Sequence, residues 1–262
     1  MRRLETAYST LRWSDDGLRV TKTRPPGAYP RYRFENELRV NRLLRSCRPP
    51  VRTAGLLAHD VHTRSLTFEA LHGTPFGPKY PQELTTGAID EVLAIGGALS
   101  AYDPSRRWLR RFDSVRRIAM ARDAGLLTGT DAVALTDVAR DRHRKLRFGH
   151  GDLTARNVLR VGDGAALIDW EWAGCYPPGY DAAFLWFSLQ DVPDGRAHVE
   201  RSVGAGIGVD EEGFLLCALL VELWHLRWYV PEVFRARHEA TRDELLGRLL
   251  GTRRGAPDRG QS

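Results

Sequence analysis

In the segments FGHGDLTARNVL and LIDWEWAG, the residues His150, Asp152, Asn157 and Asp169 have the types and spacing that phosphoryl transfer requires. Moving a phosphoryl group onto a hydroxyl needs one carboxylate near the attacking oxygen and further oxygen ligands to hold magnesium on the phosphates. Asp152 can serve the first role. Asn157 supplies an amide oxygen, and Asp169 ends the next apolar run with a carboxylate for the same metal. Residues 157–161 and 165–168 are apolar runs separated by Gly162, Asp163 and Gly164. This hairpin pattern folds Asp169 back beside Asn157. An Asp or Asn next to Gly is usually only a turn former, so each residue alone reads as structural. Taken together, an HGD triplet, a following Asn and an apolar strand ending in Asp point to a kinase-like site.

At these residues the chain resembles the aminoglycoside phosphotransferase and choline kinase family, the small-molecule relatives of protein kinases. That family's His-Gly-Asp loop with a downstream Asn, followed by an Ile-Asp-Trp/Phe-Glu segment, is matched by His150 to Asn157 and by Ile168 to Glu171. The resemblance implies that Asp152 is the catalytic base, that Asn157 and Asp169 are magnesium ligands, and that His150 braces the loop. Asp181 in GYDAAF resembles the family's buried structural acid. The implied fold is α+β and two-lobed, protein-kinase-like, with a small antiparallel β-sheet N-lobe carrying one helix and a larger, mainly helical C-lobe. Residues 1–70 would form the nucleotide-binding N-lobe and residues 71–250 the C-lobe. The polar, breaker-rich residues 251–262 read as a disordered tail.

The elements that must position the site can be read outward from Lys22, in a chain where lysine occurs only at Lys22, Lys79 and Lys145. Leu18, Val20 and Lys22 alternate along LRVTKT and point to one face, with the lysine at its end. A kinase strand lysine contacts phosphates and pairs with a helix glutamate, and Lys22 fits that position. A lysine snorkelling from a strand end is the plainer alternative. In the helical run RYRFENELRVNRLLRS, Glu37 shares a stripe with Phe34, Leu38 and Leu44, so Glu37 is the expected partner and Glu35 the fallback. The segments RTAGLLAHD and SLTFEALHGTPF read as a hairpin turning at 61–64. The resemblance makes this hairpin's exit the hinge, with Phe68 behind the adenine, and the Glu69 carbonyl and Leu71 amide on its edge. A plain edge strand ending at Gly73 fits the segment as well. The departure from the family lies before Lys22, where no glycine-rich phosphate loop occurs and the first lobe looks trimmed. Ser14 to Gly17 is the turn available to cap phosphates, and its two aspartates would repel them. The choice of ATP over GTP stays open.

Beyond the hinge the periodicity predicts a helix over 84–102. A second follows with Trp108, Phe112, Val115 and Ala119 on its buried stripe, and with Arg106, Arg107, Arg110, Arg111, Arg116 and Arg117 mainly off it. That arginine cluster reads as a solvated face; without aromatic interleaving or a nucleic-acid motif, a nucleic-acid partner is disfavoured. Between Ala182 and Val230 a mild acidic excess (Asp191, Asp194, Glu200, Asp210, Glu211, Glu212 and Glu222 against Arg196, Arg201 and Arg227) would suit a polycationic substrate. Trp186, Phe187, Trp224, Trp228 and Tyr229 could line its pocket or belong to the core.

The chain's 262 residues, 42% hydrophobic and 27% charged with a net charge of +6, suffice for two lobes with a sizeable core. No leader pattern is seen, and the most apolar helix, over 213–228, carries Glu222 and His225, so a cytoplasmic protein without membrane contact is expected. Cys47, Cys175 and Cys217 form neither a zinc pattern nor a disulfide framework and read as buried free thiols. Three functions follow as expectations. The first is an ATP- or GTP-dependent, Mg2+-requiring kinase of a small-molecule hydroxyl. The second is a kinase of Ser or Thr hydroxyls in a biosynthetic peptide, working with a partner enzyme. The third is a non-catalytic pseudokinase that binds a partner protein.

Overall fold

The computed structural model describes residues 3–6, 8–25, 31–104, 108–143, 145–205 and 209–254. The first lobe is built on a five-stranded antiparallel sheet, in spatial order β1 (Arg3–Glu5), β2 (Thr10–Trp13), β3 (Arg19–Thr23), β6 (Ser65–Glu69) and β5 (Leu56–Asp60). Between β3 and β5 runs helix α1 (Arg31–Ser46), whose Phe34 and Leu38 are one turn apart and bury against Leu56, Leu66 and Phe68. The next residues along the same helix, Val40 and Leu44, enter the larger core of the second lobe, so α1 bridges the two.

A second sheet stitches the lobes together. The pair β4 (Arg52–Thr53) joins β10 (Gly164–Leu167) in parallel, β10 pairs with β9 (Val158–Val161), and β9 pairs with β7 (Thr74–Pro75). The hairpin expected to return Asp169 to Asn157 is therefore present, turning through residues 162 and 163 with Gly162 at φ +58°. Arg52 and Thr53, expected to begin the β5 hairpin, belong instead to this second sheet.

The remainder is mainly helical: α2 (Thr86–Ala101), α3 (Ser114–Asp123), α4 (Gly129–His143), α5 (Tyr180–Ser188), α6 (Gly195–Gly204), α7 (Glu211–Trp228) and α8 (Glu232–Arg254), with a short ribbon of β8 (Arg147–Gly149) and β11 (Gly174–Tyr176). Thr85 caps α2 by accepting from the Ala88 amide at 3.2 Å, and Asp210 caps α7 by accepting from the Gly213 amide at 2.7 Å. Helix α7 is buried nearly all round, as expected of an apolar helix that forms the centre of a core. No helix among the described residues is long and apolar enough to cross a membrane.

Two expectations need correction. The second C-lobe helix starts only at Ser114, because Asp113 accepts from the Arg116 amide at 2.8 Å and caps it there. Before that cap the chain is extended: the Phe112 amide donates to Cys175 O at 2.8 Å and the Cys175 amide to Arg110 O at 2.7 Å, leaving Trp108 exposed rather than buried. Helix α8 runs through Arg254, so Gly251 to Arg254 are helical and not part of an unstructured tail. Leu245 and Leu249, fully buried one turn apart, anchor that end. The remainder of the expected tail, and Arg106 and Arg107, lie outside the described residues. Cys175 and Cys217 are buried free thiols and Cys47 is half-buried.

Candidate active site

The loop 150–157 is fixed by its neighbours. The buried Asp181 carboxylate accepts from the amides of His150 and Gly151, both at 2.8 Å. Burial raises the Asp181 pKa, while the His150 ring and these two amides pull it down. His150 Nε2 donates to the Ile168 carbonyl at 2.9 Å, tying the loop to the end of β10 just before Asp169. Gly151 sits at φ +77°, and a Cβ there would fall 2.6 Å from the Trp172 carbonyl, so only glycine fits.

Asp152 and Asn157 then meet. Asn157 Nδ2 donates to the Asp152 carbonyl at 2.8 Å and to its Oδ2 at 3.2 Å. With its amide nitrogen turned inward, Asn157 presents Oδ1 as the acceptor face, the face a hard cation takes. Asp169 follows β10 in the left-handed region, at φ 68° and ψ 61°. Asp tolerates this conformation better than most residues, and strain of this kind concentrates at functional sites.

From the first lobe, Lys22 Nζ lies 2.9 Å from Glu37 Oε1 and 2.6 Å from Asp169 Oδ1. Burial alone would lower the lysine pKa, but Asp169 and Glu37 outweigh it and raise it. Burial likewise opposes the Asp169 charge, and Lys22 and Arg24 overcome it, holding the carboxyl well below the usual range. Glu35, the fallback partner, faces outward and pairs with Arg31 at 2.8 Å. Of the expected strand face, Val20 and Lys22 line the cleft while Leu18 is exposed.

These groups line one cleft of ≈ 730 Å³, which also receives Phe68, Glu69 and Leu71. Its size is that of a small-molecule site. Its oxygen donors, Asn157 and Asp169 with Glu171 nearby, suit magnesium; Glu37, Asp169 and Glu171 also place carboxylate oxygens within 4.8 Å of one another.

The Ser14 to Gly17 turn lies away from Lys22. The register places Trp13 opposite Val20 and Leu11 opposite Lys22, so this turn lies at the Arg19 end of β3, where the Ala70 amide donates to Leu18 O at 2.9 Å. At the Lys22 end, between β1 and β2, Thr6, Tyr8 and Ser9 line the cleft. Hydroxyls replace glycines there: Thr6 Oγ1 accepts from the amides of Tyr8 and Ser9 at 3.3 and 3.0 Å and bonds Ser9 Oγ at 3.0 Å. Among the described residues, β1 pairs with β2 and β2 with the strand that carries Lys22, both antiparallel.

Three charged residues went unnoticed in the sequence as parts of the site. Arg24, two places beyond Lys22 and just past the end of β3, is fully buried between Glu37, at 2.5 Å, and Glu171. Lys79 Nζ lies 3.1 Å from Asp152 Oδ1, and Asp152 keeps its ammonium pKa raised against the opposing effect of burial. Burial and the neighbouring Asp169 raise the Glu171 pKa. The i, i+2 spacing of Arg24 from Lys22 and the scarcity of lysine were the available signals.

On the acceptor side the sequence reading is corrected in two respects. Arg117 is half-buried and lines the cleft instead of forming a solvated face, and Arg110 lines the cleft while exposed, as Arg111 and Arg116 are. None of the acids between Ala182 and Val230 lines the cleft; from that stretch its lining takes Phe184, Trp224, His225 and Tyr229. Trp186 and Phe187 are core residues and Trp228 is exposed.

Comparisons with known proteins agree with this geometry. A family model described as the phosphotransferase enzyme family matches residues 7–215. No curated protein sequence matches. Among solved structures, the choline kinase LicA from Streptococcus pneumoniae superposes with a TM-score of 0.64 at 14% identity, covering 95% of this chain and 95% of that one. A choline/ethanolamine kinase family protein from Mesorhizobium loti gives a TM-score of 0.61 at 16% identity, over 98% of this chain and 88% of that one. An aminoglycoside 2''-phosphotransferase in complex with GDP and kanamycin gives 0.58 at 16% identity, over 97% and 92%. The fold is thus the two-lobed kinase-like fold, and the chain belongs to the phosphotransferase enzyme family.

Proposed function

We propose that this protein transfers the γ-phosphoryl group of a magnesium-bound nucleoside triphosphate to a hydroxyl of a small molecule. The observation that carries the reading is the convergence of Asp152, Asn157 and Asp169 with the Lys22–Glu37 pair in one cleft. Phe68, Glu69 and Leu71 form the base-binding end, and Lys22 and Arg24 neutralise the phosphate end. Asn157 and Asp169 would hold magnesium, which supplies charge neutralisation on the transferred phosphate.

Asp152 receives the acceptor's hydroxyl proton as the new phosphorus–oxygen bond forms. The bond to the β-phosphate oxygen breaks in the same step, and the nucleoside diphosphate departs. Lys79 lies 3.1 Å from Asp152 Oδ1 and Lys22 2.6 Å from Asp169 Oδ1, so bound phosphates would meet groups already charged and held in place.

The test is detection of a phosphorylated product by phosphorus NMR with ATP or GTP and a panel of hydroxyl acceptors. Asp152→Asn is expected to lower turnover by roughly 100-fold or more while leaving nucleotide affinity within a few-fold. Full turnover in Asp152→Asn would remove that residue from the mechanism.

A further inference from the structure

The acceptor end of the cleft is cationic and aromatic. The Arg117 guanidinium lies 3.8 Å from the Trp224 ring centroid and 4.9 Å from that of Phe112. Its Nη1 is buried without a hydrogen-bond partner. Arg110 lies 5.4 Å from the Tyr32 ring, and neither Arg110 nor Arg117 meets a carboxylate among the described residues. Arg33, over Trp172 at 4.0 Å and bonded to Tyr229 Oη at 3.2 Å, adds a third positive charge to the same wall.

The acids that could have answered these charges are engaged elsewhere. Asp191 pairs with Arg237 at 2.7 Å, Glu200 with Arg248 at 3.0 Å, and Asp210 and Glu212 with Arg142 at 2.7 and 2.9 Å. Glu222 is fully buried and bonded to His238 at 2.5 Å. The carboxylates that do line the cleft near the reaction centre already face Lys22, Arg24 or Lys79. A cationic acceptor would therefore add like charge beside the half-buried Arg117 and the exposed Arg110, at an energetic cost that is largest at Arg117.

From this wall, and on the phosphotransferase reading above, we infer that the acceptor is a small hydroxyl compound bearing an oxyanion, a carboxylate or a phosphate, bound by Arg117 and Arg110. Stacking on Trp224 occupies one face of the Arg117 guanidinium and leaves its in-plane N–H edge for the fork geometry that carboxylates and phosphates share. The buried Nη1 is costly while unpaired, and an anionic oxygen satisfies it. Burial also lowers the Arg117 pKa, so a bound anion restores the environment that the charge lacks. With the anion there, the substrate's hydroxyl is free to face Asp152.

The experiment uses the full chain saturated with magnesium and a non-hydrolysable ATP analogue, so that the nucleotide phosphate positions are filled. D-glycerate, glycerol 3-phosphate, glycerol, choline and kanamycin are then titrated calorimetrically. The expected result is millimolar or tighter binding of at least one anion, in preference to glycerol and to both cations; the preferred anion distinguishes carboxylate from phosphate. Arg117→Gln is expected to weaken that binding by about tenfold to a hundredfold, and Arg116→Gln, altered at an exposed position on the same helix, to leave it unchanged. Retained binding of the ATP analogue shows that each variant is folded.

The inference is overturned if choline or kanamycin binds more tightly than either anion, if neither anion binds at millimolar concentration, or if Arg117→Gln leaves anion affinity unmoved. In each case the phosphotransferase reading survives as long as the ATP analogue binds with magnesium. Failure of the analogue itself to bind overturns both.

Discussion

Asp152 and Asn157 hold one another in place before any ligand arrives, and Gly151 is what lets them do so. The amide of Asn157 spans the Asp152 carbonyl and carboxylate, while the loop backbone turns at a φ of +77° that an L side chain rarely adopts. Gly151→Ala is accordingly expected to destabilise the protein by about 2 kcal/mol or more, measured by denaturant unfolding, because backbone strain adds to a clash with the Trp172 carbonyl. Asp169 is also left-handed, so Asp169→Asn, which tolerates αL, separates loss of charge from loss of conformation better than an alanine would. His225 gives a pH signature. Burial pushes its pKa down from 6.5 to about 3, so between those values the unfolded chain binds the extra proton and the folded one does not. Stability should fall as pH drops through this window, by about 1.4 kcal/mol per pH unit from this group. Denaturant midpoints at successive pH values should flatten in His225→Phe; an unchanged slope would contradict the assignment. At this scale the sequence was most readable where chemistry dictates both residue type and spacing, as in HGD with Asn157 and in the terminal Asp169. It was least readable for Arg24 and Lys79, whose roles depend on which acids the fold brings opposite them.

Strand β3 is the element that joins the two lobes electrostatically. It carries Lys22, with Arg24 just past its end, and α1 presents Glu37 to both, so each buried charge answers more than one partner. Removing one member leaves others desolvated. Arg24→Met is expected to cost roughly 2–4 kcal/mol of stability by denaturant unfolding, and a loss below about 0.5 kcal/mol would show that the cluster does not depend on it. Helix α1 is tied to the Asp169 segment as well, since Asn36 Nδ2 donates to the carbonyls of Glu171 and Ala173 at 3.0 and 2.9 Å. Periodicity revealed this helix and the inward stripe that carries Glu37, because 3.6-residue spacing and the cost of burying an unpaired acid act locally. The same reasoning extended the following helix back to Trp108, where the Asp113 cap and pairing with β11 won instead. It also placed the phosphate-facing turn at Ser14 to Gly17, because glycine is the usual mark of such a turn. The segment at the Lys22 end uses Thr6 and Ser9 hydroxyls, which carry no such mark.

Across the whole molecule the cleft has a polarity that no single segment displays. Its end at Val20, Phe68 and Leu71 is mainly apolar, its centre is a network of neutralised ion pairs, and its far end carries arginines stacked on aromatic rings. Counting charges along 182–230 suggested an acidic pocket, yet Asp191, Glu200, Asp210, Glu212 and Glu222 are paired with Arg237, Arg248, Arg142 and His238 away from the cleft. Composition along a segment reports how many charges it carries, whereas the tertiary fold decides which way they point. The family match over residues 7–215 concerns the shared scaffold, and such a scaffold hosts many acceptors.

The measurement that tests the central claim most directly is a thermal-unfolding titration with ATP and GTP, with and without magnesium, on the natural protein and on Asp169→Asn. A ligand bound only to the folded state at a hundred times its dissociation constant adds about 2.7 kcal/mol, roughly 5–10 °C for a chain of this size. The account predicts a rise of that order that requires magnesium and is largely lost in Asp169→Asn. No rise at millimolar nucleotide, or an equal rise in the variant, would contradict a nucleotide site built around Asp169.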